Sequence, residues 1–213
     1  MLRVEHITTG YGKKQILTDV SFQVKQGEIV LLSGGNGSGK STVLKTIYGL
    51  LKPWNKDGRI IFEDKNITGL YPSEMIKRGI VYMPQKKNVF EEFTVEENLL
   101  TSASIYSKKE AKFRIEKVYD TIPQLKEMWN RTPFNMSGGE KQLLAFGNVL
   151  IHTPKLILLD EPFAGVDTIK SEALSSLIKS MNNNKISFII VEHRKHHFDN
   201  FHYIEKQLKL GIL

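Results

Sequence analysis

The stretch "GGNGSGKST", residues 34–42, sets Gly34, Gly35, Gly37 and Gly39 around Asn36 and Ser38 and ends in Lys40, Ser41 and Thr42. Backbone this free of side chains can curl its N–H groups around phosphate oxygens, where a Cβ would collide or force strained dihedrals. The pattern Gly34-x-x-x-x-Gly39-Lys40-Ser41 is that of a phosphate-binding loop set between a strand and a helix. In such a loop the lysine supplies a point charge to the outer phosphates and the serine hydroxyl can ligate Mg²⁺. The following helix aims its N-terminal N–H groups and dipole at the same place. A flexible glycine turn is the plainer alternative. The flanks, apolar "GEIVLLS" before and helix-like "VLKTIYGLL" after, favour the phosphate loop.

Holding Mg²⁺ and handling water also requires acids. "KLILLDEP" provides Asp160 and Glu161 at the end of an apolar run. A carboxylate at the carboxyl end of a parallel strand stands where ligands of such sheets bind. Asp160 is expected to hold Mg²⁺ through its water shell, and Glu161 to poise a water for in-line attack on a terminal phosphate. An isolated pair of acids would instead mean a solvated turn.

These residues need a scaffold. "LRVEHI" and "ILTDVSFQV" alternate, as half-exposed antiparallel strands do, whereas "GEIVLLS", "GIVYMPQ", "KLILLDEP" and "ISFIIVEH" are continuous and read as strands buried on both faces. Helices are expected from Ser41 to Leu51, stopped by Pro53, and over "SGGEKQLLAFGNVLIHT" and "DTIKSEALSSLIKSM". Residues 91–135 are charged and helical in spacing and read as a helical subdomain. Residues 1–90 and 136–213 then form an α/β core, a mostly parallel sheet flanked by helices, with an antiparallel part at the N-terminus, all in one domain.

Composition narrows the class. The 213 residues are 40% hydrophobic and 25% charged, ordinary for a globular protein, and contain no cysteine, which excludes disulfides and thiolate chemistry. No apolar run reaches the roughly 18 residues of a membrane span, and the N-terminus lacks a signal-peptide layout, so a cytoplasmic location is expected. The net charge of +7 is spread along the chain. Its clusters, "SKKEAKFRIEK" and "HRKHH", are not interleaved with aromatics for base stacking, and no nucleic acid is expected as partner. His193, His196 and His197 could suggest a metal cluster, but no acidic or thiolate partners gather near them in sequence.

"MSGGEKQ", residues 136–142, resembles the signature motif of ATP-binding cassette (ABC) ATPases. The order of landmarks is similar too: the phosphate loop, Gln85 after a strand, the signature, "LILLDEP", "AGVD" and His193 after "FIIV". The resemblance implies a P-loop NTPase fold of ABC ATPase type, ATP and Mg²⁺ as cofactors, and a head-to-tail dimer with a second ABC ATPase subunit, a copy or a paralogue. Each ATP then lies between the P-loop of one subunit and the signature of the other. It assigns Ser137, Gly138, Gly139 and Glu140 to that trans contact and Asp167 to the loop that couples the two sites. Tyr11 is expected to stack on adenine. Gln85 would reach Mg²⁺ and the attacking water, and His193 would contact the γ-phosphate and orient Glu161 or the water. Ser137 also reads as a plain helix N-cap, and Asp167 as part of a generic turn.

Relatives of this kind drive transport by docking on integral-membrane permease subunits through the helical segment and the Gln85 loop, so a peripheral place on the inner face of the cell membrane is implied. "LKTIYGLLKP" and "RGIVYMPQKKNVFEEFTVEENLL" look most like importer ATPases for branched-chain amino acids, whereas "DEPFAGVD" looks more like lipopolysaccharide-export ATPases. A soluble ABC ATPase acting on DNA or ribosomes is a competing reading, but such proteins usually carry two cassettes or a long coiled coil. Intact Lys40, Asp160, Glu161 and His193 argue against a non-hydrolysing regulatory subunit. The chain departs from the family at Met136, in place of leucine, and at Asn148, where arginine is frequent. Beyond His193, "RKHHFDNFHYIEKQLKLGIL" is expected to lack the closing glycine-containing strand pair.

Overall fold

The computed structural model describes residues 1–199, 201–209 and 211–213. Its alternating N-terminal segments form β1 (Leu2–Tyr11) and β2 (Lys14–Val24), which pair antiparallel. Joined by β4 (Arg59–Phe62) and β5 (Lys65–Asn66), they make a four-stranded sheet in the order β2-β1-β4-β5. The continuously apolar segments give a second, parallel sheet: β3 (Ile29–Ser33), β6 (Ile80–Met83), β7 (Leu156–Asp160), β8 (Ser187–Val191) and β9 (Ile204–Gln207), in the order β6-β7-β8-β3-β9.

Every residue of β3, β7 and β8 is buried. The reason lies in the period-2 pleat between two cores. Ile29, Leu31, Ile157, Leu159, Phe188 and Ile190 face one core, shared with the helical subdomain. Val30, Leu32, Leu156, Leu158, Ile189 and Val191 face the other, shared with the antiparallel sheet.

The helices are α1 (Lys40–Ile47), α2 (Pro72–Lys77), α3 (Val95–Ser102), α4 (Lys108–Thr121), α5 (Pro123–Glu127), α6 (Gly138–Leu150) and α7 (Thr168–Asn183). Helix α1 ends before the expected Leu51. Gly49 takes φ +83°, its N–H reaches Thr46 O, and Leu50 N–H reaches Lys45 O, a Schellman ending that stops the helix four residues ahead of Pro53. Among the described residues no helix is long and apolar enough to cross a membrane.

The C-terminus corrects a sequence expectation. Strand β9 lies parallel beside β3, from Val30↔Ile204 to Ser33↔Gln207, and a turn closed by the Lys209↔Ile212 bridge follows it, with Gly211 inside. The closing pair is therefore present. It escaped the apolar pattern because β9 is an edge strand whose side chains, Glu205 and Lys206 among them, are mostly exposed.

The entry to the helical subdomain is held by Asn98, fully buried on α3. Its amide oxygen accepts from Phe90 N–H at 2.8 Å, and its amide nitrogen donates to the carbonyls of Phe90, Phe93 and Thr94 at 2.9–3.0 Å. Asn98→Ala would strand these backbone groups, and chemical denaturation is expected to show a loss of roughly 2–4 kcal/mol. A loss below about 0.5 kcal/mol would mean water replaces the side chain freely.

Candidate active site

The phosphate loop runs from the end of β3 to the start of α1, at the carboxyl edge of the parallel sheet. Lys40 is buried and folds back across the loop, its Nζ donating to Gly34 O at 2.8 Å and Gly35 O at 3.0 Å. Burial lowers the pKa of this ammonium, and the charges of Glu161 and Asp160 act in the opposite direction. The cation is thus held at the mouth of the loop, facing two acids.

Asp160, the last residue of β7, is 5% exposed and is gripped on both oxygens. Ser41 Oγ donates to Oδ1 at 2.8 Å and Tyr82 OH to Oδ2 at 3.0 Å. Burial, with the Asp160 charge beside it, raises the Tyr82 pKa far above its ordinary value, so the hydroxyl stays a donor. Glu161 follows with φ +51°, a left-handed conformation that a non-glycine residue adopts at some cost. Its N–H bonds to Val191 O at 2.8 Å, which fixes the turn against β8. Gln85 Nε2 donates to Glu161 Oε2 at 2.5 Å, and His193 Nε2 stands 3.4 Å from Oε1. The His193 turn is in turn held by Glu192, whose buried carboxylate accepts from His193 N–H at 2.7 Å and Arg194 N–H at 3.1 Å.

Lys40, Ser41, Gln85, Asp160, Glu161 and His193, chosen from scattered segments, are therefore one cluster. Tyr11 ends β1 on the flank of α1, half-exposed, its hydroxyl 3.5 Å from Lys45 Nζ. Ser41, Asp160 and Gln85 offer hydroxyl, carboxylate and amide oxygens, the hard donors that Mg²⁺ takes, so the residues fit that ion.

The signature residues form a second group, whose contacts are with residues 165–170 rather than with the phosphate loop. Ser137 caps α6 in a capping box: its Oγ accepts from Glu140 N–H, and Glu140 Oε2 accepts from Ser137 N–H at 2.7 Å. Gly138 and Gly139 are small because α7 and its approach press on them. A Cβ on Gly138 would fall 2.4 Å from Gly165 O, and one on Gly139 2.3 Å from Lys170 Cδ. Lys170 Nζ donates to Ser137 Oγ at 2.5 Å, and Asp167 caps α7 by accepting from Lys170 N–H at 3.0 Å. The signature and the Asp167 loop are thus one mechanical piece within the subunit. Sequence reasoning passed over Tyr82, Glu192, Asn98 and Lys170. Only Tyr82 left a signal, as the one hydroxyl in the buried strand "IVYM".

The far end of the sequence backs the phosphate loop. Leu208 N–H bonds to Ser33 O and Gly211 N–H to Ser38 O, while Thr18 N–H bonds to Gly211 O. A Cβ on Gly34 would fall 2.3 Å from Leu208 O, and one on Gly211, at φ +81°, 1.9 Å from Ile16 O. Gly211→Ala is expected to cost roughly 1–3 kcal/mol in thermal or chemical unfolding and to weaken nucleotide binding with it. Gly69→Ala, at φ +70° but with nothing within 4 Å, serves as control. It should cost only about 1 kcal/mol and leave affinity unchanged. Equal effects of the two on affinity would mean that the C-terminal peptide does not support the loop.

Comparison with known proteins agrees with this geometry. The profile described as ABC transporter matches residues 17–164. The high-affinity branched-chain amino acid transport ATP-binding protein BraG of Pseudomonas aeruginosa is 39% identical over 192 residues, covering 90% of this chain and 82% of BraG. The lipopolysaccharide export system ATP-binding protein LptB of Haemophilus influenzae is 33% identical over 195 residues, covering 91% of this chain and 80% of LptB. Among solved structures, a nucleotide-free ATP-binding cassette from an ABC transporter superposes with a TM-score of 0.88 at 31% identity, covering 100% of this chain and 88% of that one. A dimeric bacterial ABC transporter cassette gives 0.85 at 26%, covering 100% and 96%. A P-loop facing paired acids, with a signature helix on the same α/β core, is what these proteins share, and this chain belongs to the ABC transporter family as one of its ATP-hydrolysing cassettes.

Proposed function

We propose that this chain energises uptake of branched-chain amino acids, working on the inner face of the cell membrane with integral-membrane permease subunits and a second cassette. The observation that carries the transport reading is the loop that starts at Gln85. At one end its amide touches Glu161; at the other it exposes Phe90 and Phe93, with ring centroids 5.4 Å apart. Between them Asn88 Nδ2 donates to Gln142 Oε1 at 3.2 Å and Glu91 pairs with Lys141 at 2.9 Å, both on α6. Asn148 Nδ2 reaches Asn88 O at 3.5 Å, so the departure from arginine still serves this loop. A change at Glu161 is therefore passed to the signature helix and to an exposed aromatic surface suited to a permease. A groove of about 800 Å³, lined by Ile76, Ile105, Tyr106, Arg114 and His152 among others, offers a second place for such a partner.

In the proposed cycle the loop N–H groups and Lys40 bind the phosphates, and Ser41, Asp160 and Gln85 hold the metal. Bound Mg²⁺ would bridge the β- and γ-phosphate oxygens and neutralise charge developing there. Glu161, oriented by Gln85 and His193, poises the attacking water, while Ser137–Glu140 of the second subunit closes over the γ-phosphate and Asp167 links the two sites. The amino-acid cargo rests on the similarity to BraG. The sequence "DEPFAGVD", shared in type with the lipopolysaccharide exporters, supports the second reading.

Glu161→Gln is expected to bind ATP and dimerise by size-exclusion chromatography while hydrolysing at least about a hundredfold more slowly. Turnover at the wild-type rate would remove Glu161 from its role. Affinity capture from detergent-solubilised native membranes should recover a multi-spanning permease; recovery of ribosomal or DNA-bound proteins instead would sink the transport reading.

A further inference from the structure

The carboxylate of Asp160 has two hydrogen-bond partners of different fate. Ser41 sits in the first turn of α1 and is the hydroxyl that the metal would take. When its oxygen becomes a metal ligand, its hydrogen bond to Asp160 Oδ1 must be given up to the metal's water shell. Tyr82 has no such second duty. It stands on β6, where the pairing Tyr82↔Leu158 and Met83↔Leu159 locks it beside β7, and its ring packs on Tyr48 just beyond α1 with centroids 5.5 Å apart. From there its hydroxyl meets Asp160 Oδ2 at 3.0 Å. Three residues further on, Gln85 meets Glu161, the neighbour of Asp160. The two side-chain bonds continue the β6–β7 ladder past the ends of the strands, one rung on the metal carboxylate and one on the water-poising carboxylate.

We propose that Tyr82 is a positioning residue that holds Asp160 in its metal-binding rotamer when Ser41 is recruited away, and so sets the Mg²⁺ dependence of nucleotide binding. The inference rests on Asp160 being a metal-site residue. Because Asp160 is nearly excluded from water, no solvent network can replace the phenol at Oδ2, and a neutral donor to a buried carboxylate contributes more than an ordinary hydrogen bond. The same bond ties the metal carboxylate to the strand that leads into the Gln85 loop, which gives that loop a second connection to the site, independent of Glu161.

The test is Tyr82→Phe, which keeps the ring and its packing on Tyr48 and removes only the hydroxyl. A fluorescent ATP analogue is titrated in EDTA and then at rising Mg²⁺. The metal-free affinity should stay within about twofold, while the Mg²⁺ concentration that gives half of the affinity gain rises about tenfold. Tyr48→Phe, which alters the ring's neighbour but no bond to Asp160, should move neither quantity. Asp160→Asn should abolish the Mg²⁺-dependent gain. An unmoved Mg²⁺ midpoint in Tyr82→Phe, with the gain abolished in Asp160→Asn, would overturn the tyrosine's role and leave the metal site standing. An equal fall in metal-free affinity would overturn it as well, by showing a general structural effect. A full Mg²⁺-dependent gain in Asp160→Asn would instead remove the metal site, and the proposal with it.

Discussion

A strand buried between two cores cannot slip by one residue, because the slip would turn every side chain meant for one core toward the other. Strands β3, β7 and β8 are all of this kind, with Leu31, Leu159 and Ile190 on one side and Leu32, Leu158 and Val191 on the other. Their carboxyl ends are therefore fixed relative to one another. The phosphate loop, the acid pair and the Glu192–His193 turn each begin where one of these strands stops. The site's precision comes from that register, not from the loops, which could adopt many shapes if their anchors could slide.

On this rigid edge the polar contacts divide by mobility. Asp160 and Glu192 are buried and bonded on the strand side. Glu161, Gln85 and His193 are more exposed and meet one another across short gaps. The exposed set can rearrange around a γ-phosphate and a water without disturbing the core. Rearrangement at Gln85 moves a loop already bonded to α6, so hydrolysis chemistry and the geometry of the signature helix share one set of hydrogen bonds. Electrostatics reinforce the division: a partly desolvated lysine faces two carboxylates at close range, a balance that incoming phosphates must reset.

Much of this was legible in the sequence, for a physical reason. Phosphate loops and buried parallel strands need particular residue types at fixed offsets, so Gly34 to Thr42 and "LILLDEP" carry their function in their spelling. The residues that hold these groups in place obey no such spacing. Asn98 looks like one more polar residue on a charged helix, and nothing in "VEENLL" says that it is fully buried over a turn. Glu192 and Lys170 depend on neighbours distant in sequence. The helix stop at Gly49 was assigned to the louder Pro53. Strand β9 was missed because an edge strand is selected for charge and exposure rather than for apolar continuity.

The wall behind the phosphate loop, Leu208 to Gly211, consists of residues translated after nearly the whole of the sheet. A nascent chain on the ribosome carries its glycine loop early but gains the backbone that braces it only at the end of synthesis. β9 must then add in parallel beside β3, a pairing of long sequence separation that forms slowly. Competence to hold nucleotide firmly is thus acquired late, after the core has formed, which keeps a half-made cassette from engaging ATP or a partner before its fold is complete.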